Sequence, residues 1–280
     1  MKFNERADVS VIIPVYNSKD TIGRAVESVI KQTVLPQEII LIDDCSTDKL
    51  TIKCLKNLKD KYKNIIDFKL ILSTENKGPG TARNIGWNLA KSKYIAFLDS
   101  DDVWHPQKIE IQYNFMKNNN DINFCTHGLV VINDFIKNDF NNFYDKKYIS
   151  VSKLEPYRLL FKHYSDGTPC IMLKKNLEYR FKEGKKYSED YLLWLEILFK
   201  NKGVLIEKNL AAAFKPLYGT GGLSKNLWKI EKGELETFKI LQQKGYISIL
   251  LRYFVSCFSL LKYVRRFIIT KINNRDIKKL

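Results

Sequence analysis

Negative charge is scarce in this sequence: 31 acidic residues stand against 47 basic ones, a formal net charge of +16. Paired cysteine is missing too. The five cysteines (Cys45, Cys54, Cys125, Cys170, Cys257) are odd in number and scattered, with no C-x-x-C pair. Neither a disulfide framework nor a zinc site is indicated, and a reducing compartment is expected. Lys2, Glu5, Arg6 and Asp8 run directly into an apolar strand pattern, which leaves no room for the apolar stretch of a signal peptide and points to the cytoplasm. Both common phosphate-loop signatures are absent from the glycine-bearing segment NKGPGTARNIG (76–86). A G-x-G-x-x-G starting at Gly78 meets Arg83 where its third glycine belongs, and no G-K-[ST] is present. No repeat of solenoid type recurs.

Hydrophobic residues make up 45% of the chain and charged residues 28%, with abundant Phe and Tyr, the composition of a folded globule rather than of a disordered chain. A length of 280 residues suffices for one main core with a small appendage. The positive excess calls for a partner, and nucleic acid, anionic lipid and anionic small substrates all qualify. Much of it lies in the tail, where residues 252–280 carry eight basic side chains against one acid, Asp276.

The run VSVIIPV (9–15) is apolar and β-branched, bounded by Asp8 and Asn17, and reads as a buried strand. Similar runs follow at 38–42, 68–72 and 94–98, separated by helical spacing at 21–32, 49–62 and 81–90. This alternation predicts an α/β fold with a mostly parallel central sheet flanked by helices, with ligands bound beyond the carboxyl ends of the strands. Further on, 105–117 reads as a helix opened by Pro106 and 122–132 as a strand, with a polar loop at 135–148. A helix at 188–201 begins with Ser188 as its N-cap and Glu189 and Asp190 in its first turn. Gly219, Gly221 and Gly222 make 215–225 a mobile loop, with 219–224 as a candidate lid over a bound donor.

Three acidic sites fall at strand ends or a helix start. Asp43 and Asp44 follow EIILI and precede Cys45, Ser46, Thr47 and Asp48; Ser46 or Asp48 suits the N-cap of the next helix, whereas two consecutive carboxylates at a strand end need more than one cap to explain them, and one of them can accept hydrogen bonds from donors of a nucleotide base or sugar. Asp99, Asp101 and Asp102 lie within four residues after an apolar strand. Unit charges about 4 Å apart repel by roughly 1 kcal/mol in water and about 4 kcal/mol near a protein surface. A divalent ion shared with phosphate oxygens would relieve that repulsion, and an ordinary acidic turn is the alternative. Glu189 and Asp190 complement a helix dipole, or, if they face a cleft, one of them can take a proton from an attacking hydroxyl. Arg83 suits a phosphate or base contact and equally a salt bridge.

With these residues the chain resembles the family 2 glycosyltransferases, inverting enzymes of the GT-A fold, and among them bacterial surface-polysaccharide enzymes. The resemblance rests on VSVIIPVYN (9–17), EIILIDDCSTD (38–48), GPGTARNIGWNLAKSKYIAFLDSDD (78–102) and SEDYLLWL (188–195), in that order, and covers about the first 200 residues. It implies that Pro14, Tyr16 and Asp44 contact the nucleotide base with Arg83 nearby. It also implies that Asp99 faces the ribose, that Asp101 of the D-x-D motif binds Mn or Mg, and that Asp190 is the catalytic base. Cys45 stands where glycine is common, and the only histidines are His105, His127 and His163, which supplies no C-terminal histidine as an extra metal ligand. The expected donor is a nucleotide diphosphate sugar, UDP-linked by family habit, and the expected acceptor a saccharide or lipid-linked saccharide.

The expected division is a catalytic domain at 1–224, with donor binding at 1–102 and the acceptor side at 103–224, followed by a basic helical extension at 225–280. At 246–270 the residues Arg252, Ser256, Ser259, Tyr263 and Arg266 form one stripe of a helix, and Leu250, Phe254, Cys257, Phe258, Leu261, Val264 and Ile268 fill much of the rest. Its longest uncharged run, 253–261, is well short of the ~20 apolar residues that cross a bilayer. The apolar side is expected either to pack on the catalytic domain or a second subunit, or to meet anionic membrane at its cytoplasmic face, with no nucleic-acid partner. A nucleotidyltransferase, a basic nucleic-acid-binding protein and an inactive assembly factor are the rival readings.

Overall fold

The computed structural model of the chain describes residues 6–132, 149–162, 167–214 and 226–277, with side chains described up to 269. The loops expected at 135–148 and 215–225, the lid at 219–224 and His163 lie outside the described residues.

The first half follows the predicted alternation. Strands β1 (Ala7–Val15), β2 (Pro36–Asp43), β3 (Asp67–Leu72) and β4 (Tyr94–Phe97) alternate with helices α1 (Ile22–Ile30), α2 (Lys49–Tyr62) and α3 (Pro79–Leu89). All four strands are parallel, in the order β3-β2-β1-β4. The chain therefore leaves β1 in one direction and returns on its other side, and the loops after β1 and β4 part at a switch point where α/β sheets bind ligands. Val9, Val11, Ile13 and Val15 of β1 pack beneath α1 and α2, while Ile12 faces Trp87, Phe97 and Trp194 on the opposite layer. Gly86 of α3 is required by this second packing, because a Cβ there would stand 2.5 Å from Ile12 Cγ2.

The second half is mixed rather than parallel. After β5 (Asp102–Trp104), α4 (Lys108–Asn118), β6 (Ile122–Val131), β7 (Val151–Lys153) and α5 (Pro156–Leu159) come β8 (Met172–Lys174), α6 (Glu189–Lys200) and β9 (Lys202–Ala213). Strand β8 runs antiparallel to both β4 and β6, and β9 is parallel to β6 but antiparallel to β5 and β7. The three residues of β8 are too few to show a periodicity, so this junction has no local sequence signal. Helix α4 starts two residues beyond Pro106 because the Gln107 amide donates to His105 Nδ1 and the Lys108 amide to the His105 carbonyl, which keeps 105–107 in a turn.

Helix α7 (Leu227–Gln243) inserts Phe238 and Leu241 into the core beside α6, and α8 (Ile249–Ile277) lies on α7. The orientation of α8 corrects the expectation that its apolar side packs on the catalytic domain. The polar stripe packs on the body, with Ser259 Oγ donating to Glu234 Oε2 at 2.9 Å and Arg266 paired with Glu231 at 2.8 Å and with Glu234 at 3.4 Å. Arg252 bonds Gln242, and the Tyr263 ring lies against Trp228. The physical reason is the pair of buried acids on α7, which need charged and polar partners more than the apolar residues need cover. Leu250, Leu261, Val264 and Ile268 consequently face outward, with 79%, 70%, 51% and 50% of their surface exposed. Among the described residues no helix is long and apolar enough to cross a membrane.

Candidate active site

The loops at the switch point are tied to one another by side chains. Asn17, at a positive φ of 48°, accepts the amides of Thr47 and Asp48 on its side-chain oxygen, and Ser18 Oγ meets Ser100 Oγ at 2.8 Å. Asp44 accepts the amides of Lys77 at 2.9 Å and Gly78 at 2.7 Å, so its carboxylate anchors the loop leading into α3. Asp43 instead accepts the Ser46 amide within its own turn. Between them and the next turn sits Cys45 at φ 60°, the left-handed region where glycine is favoured. Pro14, Tyr16 and Asp44 all line the cleft that opens here, and Tyr16 is 47% exposed to it.

The acidic loop after β4 separates its three carboxylates. Asp99 pairs with Arg83 at 2.6 Å, Asp101 lines the cleft, and Asp102 is buried as the first residue of β5. Arg83 thus offsets part of the repulsion that the spacing implies. Arg24 donates to the Asp101 carbonyl at 2.8 Å and fixes the loop's backbone. Among the described residues no three His, Cys, Asp or Glu side chains cluster as a metal cage. His105 and His127 are buried, with pKa values pushed down by desolvation to about 4 and about 3. The Asp101 carboxylate, with Asp99 two residues away, fits a hard divalent ion that takes most of its ligands from phosphate and water, as magnesium beside a nucleotide does.

The opposite wall is the N-terminus of α6. Ser188 occupies the cap position with φ 54° but does not cap by its hydroxyl, which donates to the Ile230 carbonyl of α7 instead. This corrects the expected Ser N-cap: a left-handed backbone turns the side chain away from the helix amides. Glu189 meets Arg83 at 3.3 Å, and Thr168 donates to Asp190 Oδ2 at 3.5 Å. Arg83, almost fully buried, therefore bridges the acidic loop and the helix start, and it lines the same cleft as Pro14, Tyr16 and Asp44. Burial, then the adjacent Asp190, push the Glu189 carboxyl up to about 7, with Arg83 opposing. Burial also raises Asp99, again against the pull of Arg83. Gly80 lets the N-termini of α3 and α6 close on each other, because a Cβ there would stand 3.1 Å from Glu189 Cγ.

The cleft holds about 970 Å³ and runs from Pro14 and Tyr16 past Asp101 to Asp190, Tyr191 and Trp194. It is large enough for a nucleotide sugar together with part of an acceptor. Sequence reasoning missed Arg24, Ser18, Ser100 and Thr168. The first three hold loops from far along the chain, and Thr168 sits in a short 3-10 turn without a motif around it.

Residues 10–179 match the profile described as Glycosyl transferase family 2. The chain belongs to that family. It is a glycosyltransferase of GT-A type fold. One relative, "UDP-Glc:alpha-D-GlcNAc-diphosphoundecaprenol beta-1,3-glucosyltransferase WfgD" of Escherichia coli, is 35% identical over 193 residues, covering 69% of this chain and 70% of its own. A second enzyme of the same description, WfaP of Escherichia coli, is 30% identical over 262 residues, covering 91% and 95%. Among solved structures, S. aureus TarS residues 1–349 in complex with UDP-GlcNAc superposes with a TM-score of 0.64 at 20% identity, covering 84% of this chain and 66% of that one. The family 2 membership supports neither the nucleotidyltransferase nor the nucleic-acid-binding reading.

Proposed function

We propose that this glycosyltransferase moves a hexose from a UDP-sugar to a lipid-linked saccharide with inversion at the anomeric carbon, in the synthesis of a bacterial surface polysaccharide. The observation that carries the reading is the placement of Asp101 and Asp190 on different elements of one cleft, with Arg83 bound to the neighbour of each. Two relatives named for UDP-glucose and a diphosphoundecaprenol acceptor support the substrate class. Pro14, Tyr16 and Asp44 hold the nucleotide, with Asp99 at the ribose and Arg83 fixing Asp99. Asp190 accepts the proton of an acceptor hydroxyl as its oxygen bonds to the anomeric carbon, while the bond from that carbon to the diphosphate breaks and UDP leaves with the electron pair. A divalent ion held by Asp101, diphosphate and water oxygens would supply charge stabilisation for the leaving group. The catalytic unit spans 1–224, with donor binding in 1–102, and works at the inner face of the membrane, where the acceptor is anchored.

The test is transfer of labelled glucose from UDP-glucose to a GlcNAc-diphospholipid, with the linkage read by NMR. The parent should form a β-linkage, and Asp190→Asn should retain UDP binding while losing about 100-fold or more in turnover. An α-linked product, or parent-like turnover in the variant, overturns the mechanism.

A further inference from the structure

Nothing in donor binding or base catalysis uses the outer face of α8. At about 100° per residue, Leu250, Phe254, Leu261, Val264 and Ile268 share one side of the helix, and each is at least half exposed. The helix is not free to roll this face inward. Its opposite side is locked by Ser259 and Arg266 to Glu231 and Glu234, which are buried on α7. Val255, fully buried, closes the same seam. A helix pinned by ion pairs on one side and apolar on the other presents a fixed hydrophobic surface.

We infer that this outward face of α8 is a bilayer-insertion surface, lying in the plane of an anionic leaflet. The inference rests on the lipid-linked acceptor proposed above. Two observations favour lipid as the occupant. The first is charge: of the eight basic residues at 252–280, set against one acid, Arg252, Lys262 and Arg266 bond to the body, while Arg265 beside Val264 is exposed and the sequence adds Lys271, Arg275, Lys278 and Lys279 beyond it, an excess that suits an anionic surface. The second is continuity with the cleft. Phe254 and Phe258 of α8 meet Phe161 ring to ring, with centroids 5.9 Å and 5.5 Å apart. Two residues before Phe161, Leu159 ends α5, lines the cleft, and accepts a hydrogen bond on its carbonyl from the Tyr191 hydroxyl, next to Asp190. An apolar path therefore leads from the exposed helix face to the cleft wall beside the base, the side from which an acceptor on a hydrocarbon anchor must arrive.

The experiment uses the full chain and the pair of substitutions Leu261→Glu and Ile268→Glu, both at exposed positions outside the cleft. Parent protein should float with phosphatidylglycerol-containing vesicles and not with pure phosphatidylcholine vesicles, and the double variant should stay in the soluble fraction. Turnover on a short-chain, water-soluble acceptor should be equal for both. On a long-chain acceptor embedded in anionic vesicles the variant should fall at least 10-fold. Flotation of the variant equal to the parent overturns the inference. So does a parent that runs as a dimer and becomes monomeric on substitution, which would assign the face to a second copy of this chain. Absence of transfer to either acceptor by the parent would count against the proposed reaction, while flotation would still decide the role of α8.

Discussion

At the scale of single residues, two features of the site store unfavourable energy. Cys45 holds a left-handed backbone with a side chain attached, which costs on the order of 1 kcal/mol relative to glycine. Cys45→Gly should therefore raise the unfolding free energy by about 1 kcal/mol, less if the unfolded chain gains freedom from the glycine, and urea titration measures it. Glu189 is the second. Its carboxyl titrates near 7 in the folded protein because burial and Asp190 outweigh Arg83, against about 4.3 in an unfolded chain. The folded state binds the extra proton between these values, so the stabilisation it gives is complete below about pH 4 and is lost as pH rises through about 7. Glu189→Gln should flatten that part of the stability curve, and thermal denaturation from pH 4.5 to 7.5 against the parent would reveal it. An unchanged slope would mean that Glu189 is already ionised in the folded protein.

Among the elements, α8 is held to α7 by few but well-placed contacts. Removing Arg266 takes away the cation paired with Glu231 and Glu234, which are buried, although Ser259 still donates to Glu234. Breaking a buried pair costs about 3–5 kcal/mol, and partial exposure of the arginine lowers the expectation to about 2 kcal/mol. Arg266→Ala should thus unfold at lower denaturant and lose α8 to limited proteolysis before the α/β body is cut. Equal protease resistance would show that the apolar contacts of Val255 and Phe258 suffice. The periodicity of α8 is plain in sequence, yet which side turns inward is not, because that depends on two acids of another helix.

For the whole molecule, the donor should act as a stabiliser, since a ligand that binds only the native state adds about 2.7 kcal/mol at one hundred times its Kd. In a chain of this size that corresponds to a rise in Tm of about 5 °C. UDP-glucose with Mn should produce this shift, and chelation should abolish it. Asp101→Asn should behave as the chelated parent does, because an amide oxygen brings no charge to the ion. A full shift in the variant would remove Asp101 from the metal site.

Sequence alone determined the β1-to-β4 half of the fold and the places of Asp44, Asp99, Asp101 and Asp190, since each lies at the end of a strand or start of a helix whose apolar pattern is local. The Ser188 cap shows the limit of such reading: the residue stands where the helix begins, but its hydroxyl serves α7, forty-two residues later. Tertiary structure decided that Arg83 joins Asp99 to Glu189, that β8 threads antiparallel between β4 and β6, and that α8 turns its charged side to the body. Each of these is settled by the cost of a buried charge or an unpaired strand edge, and both costs depend on partners distant in the chain.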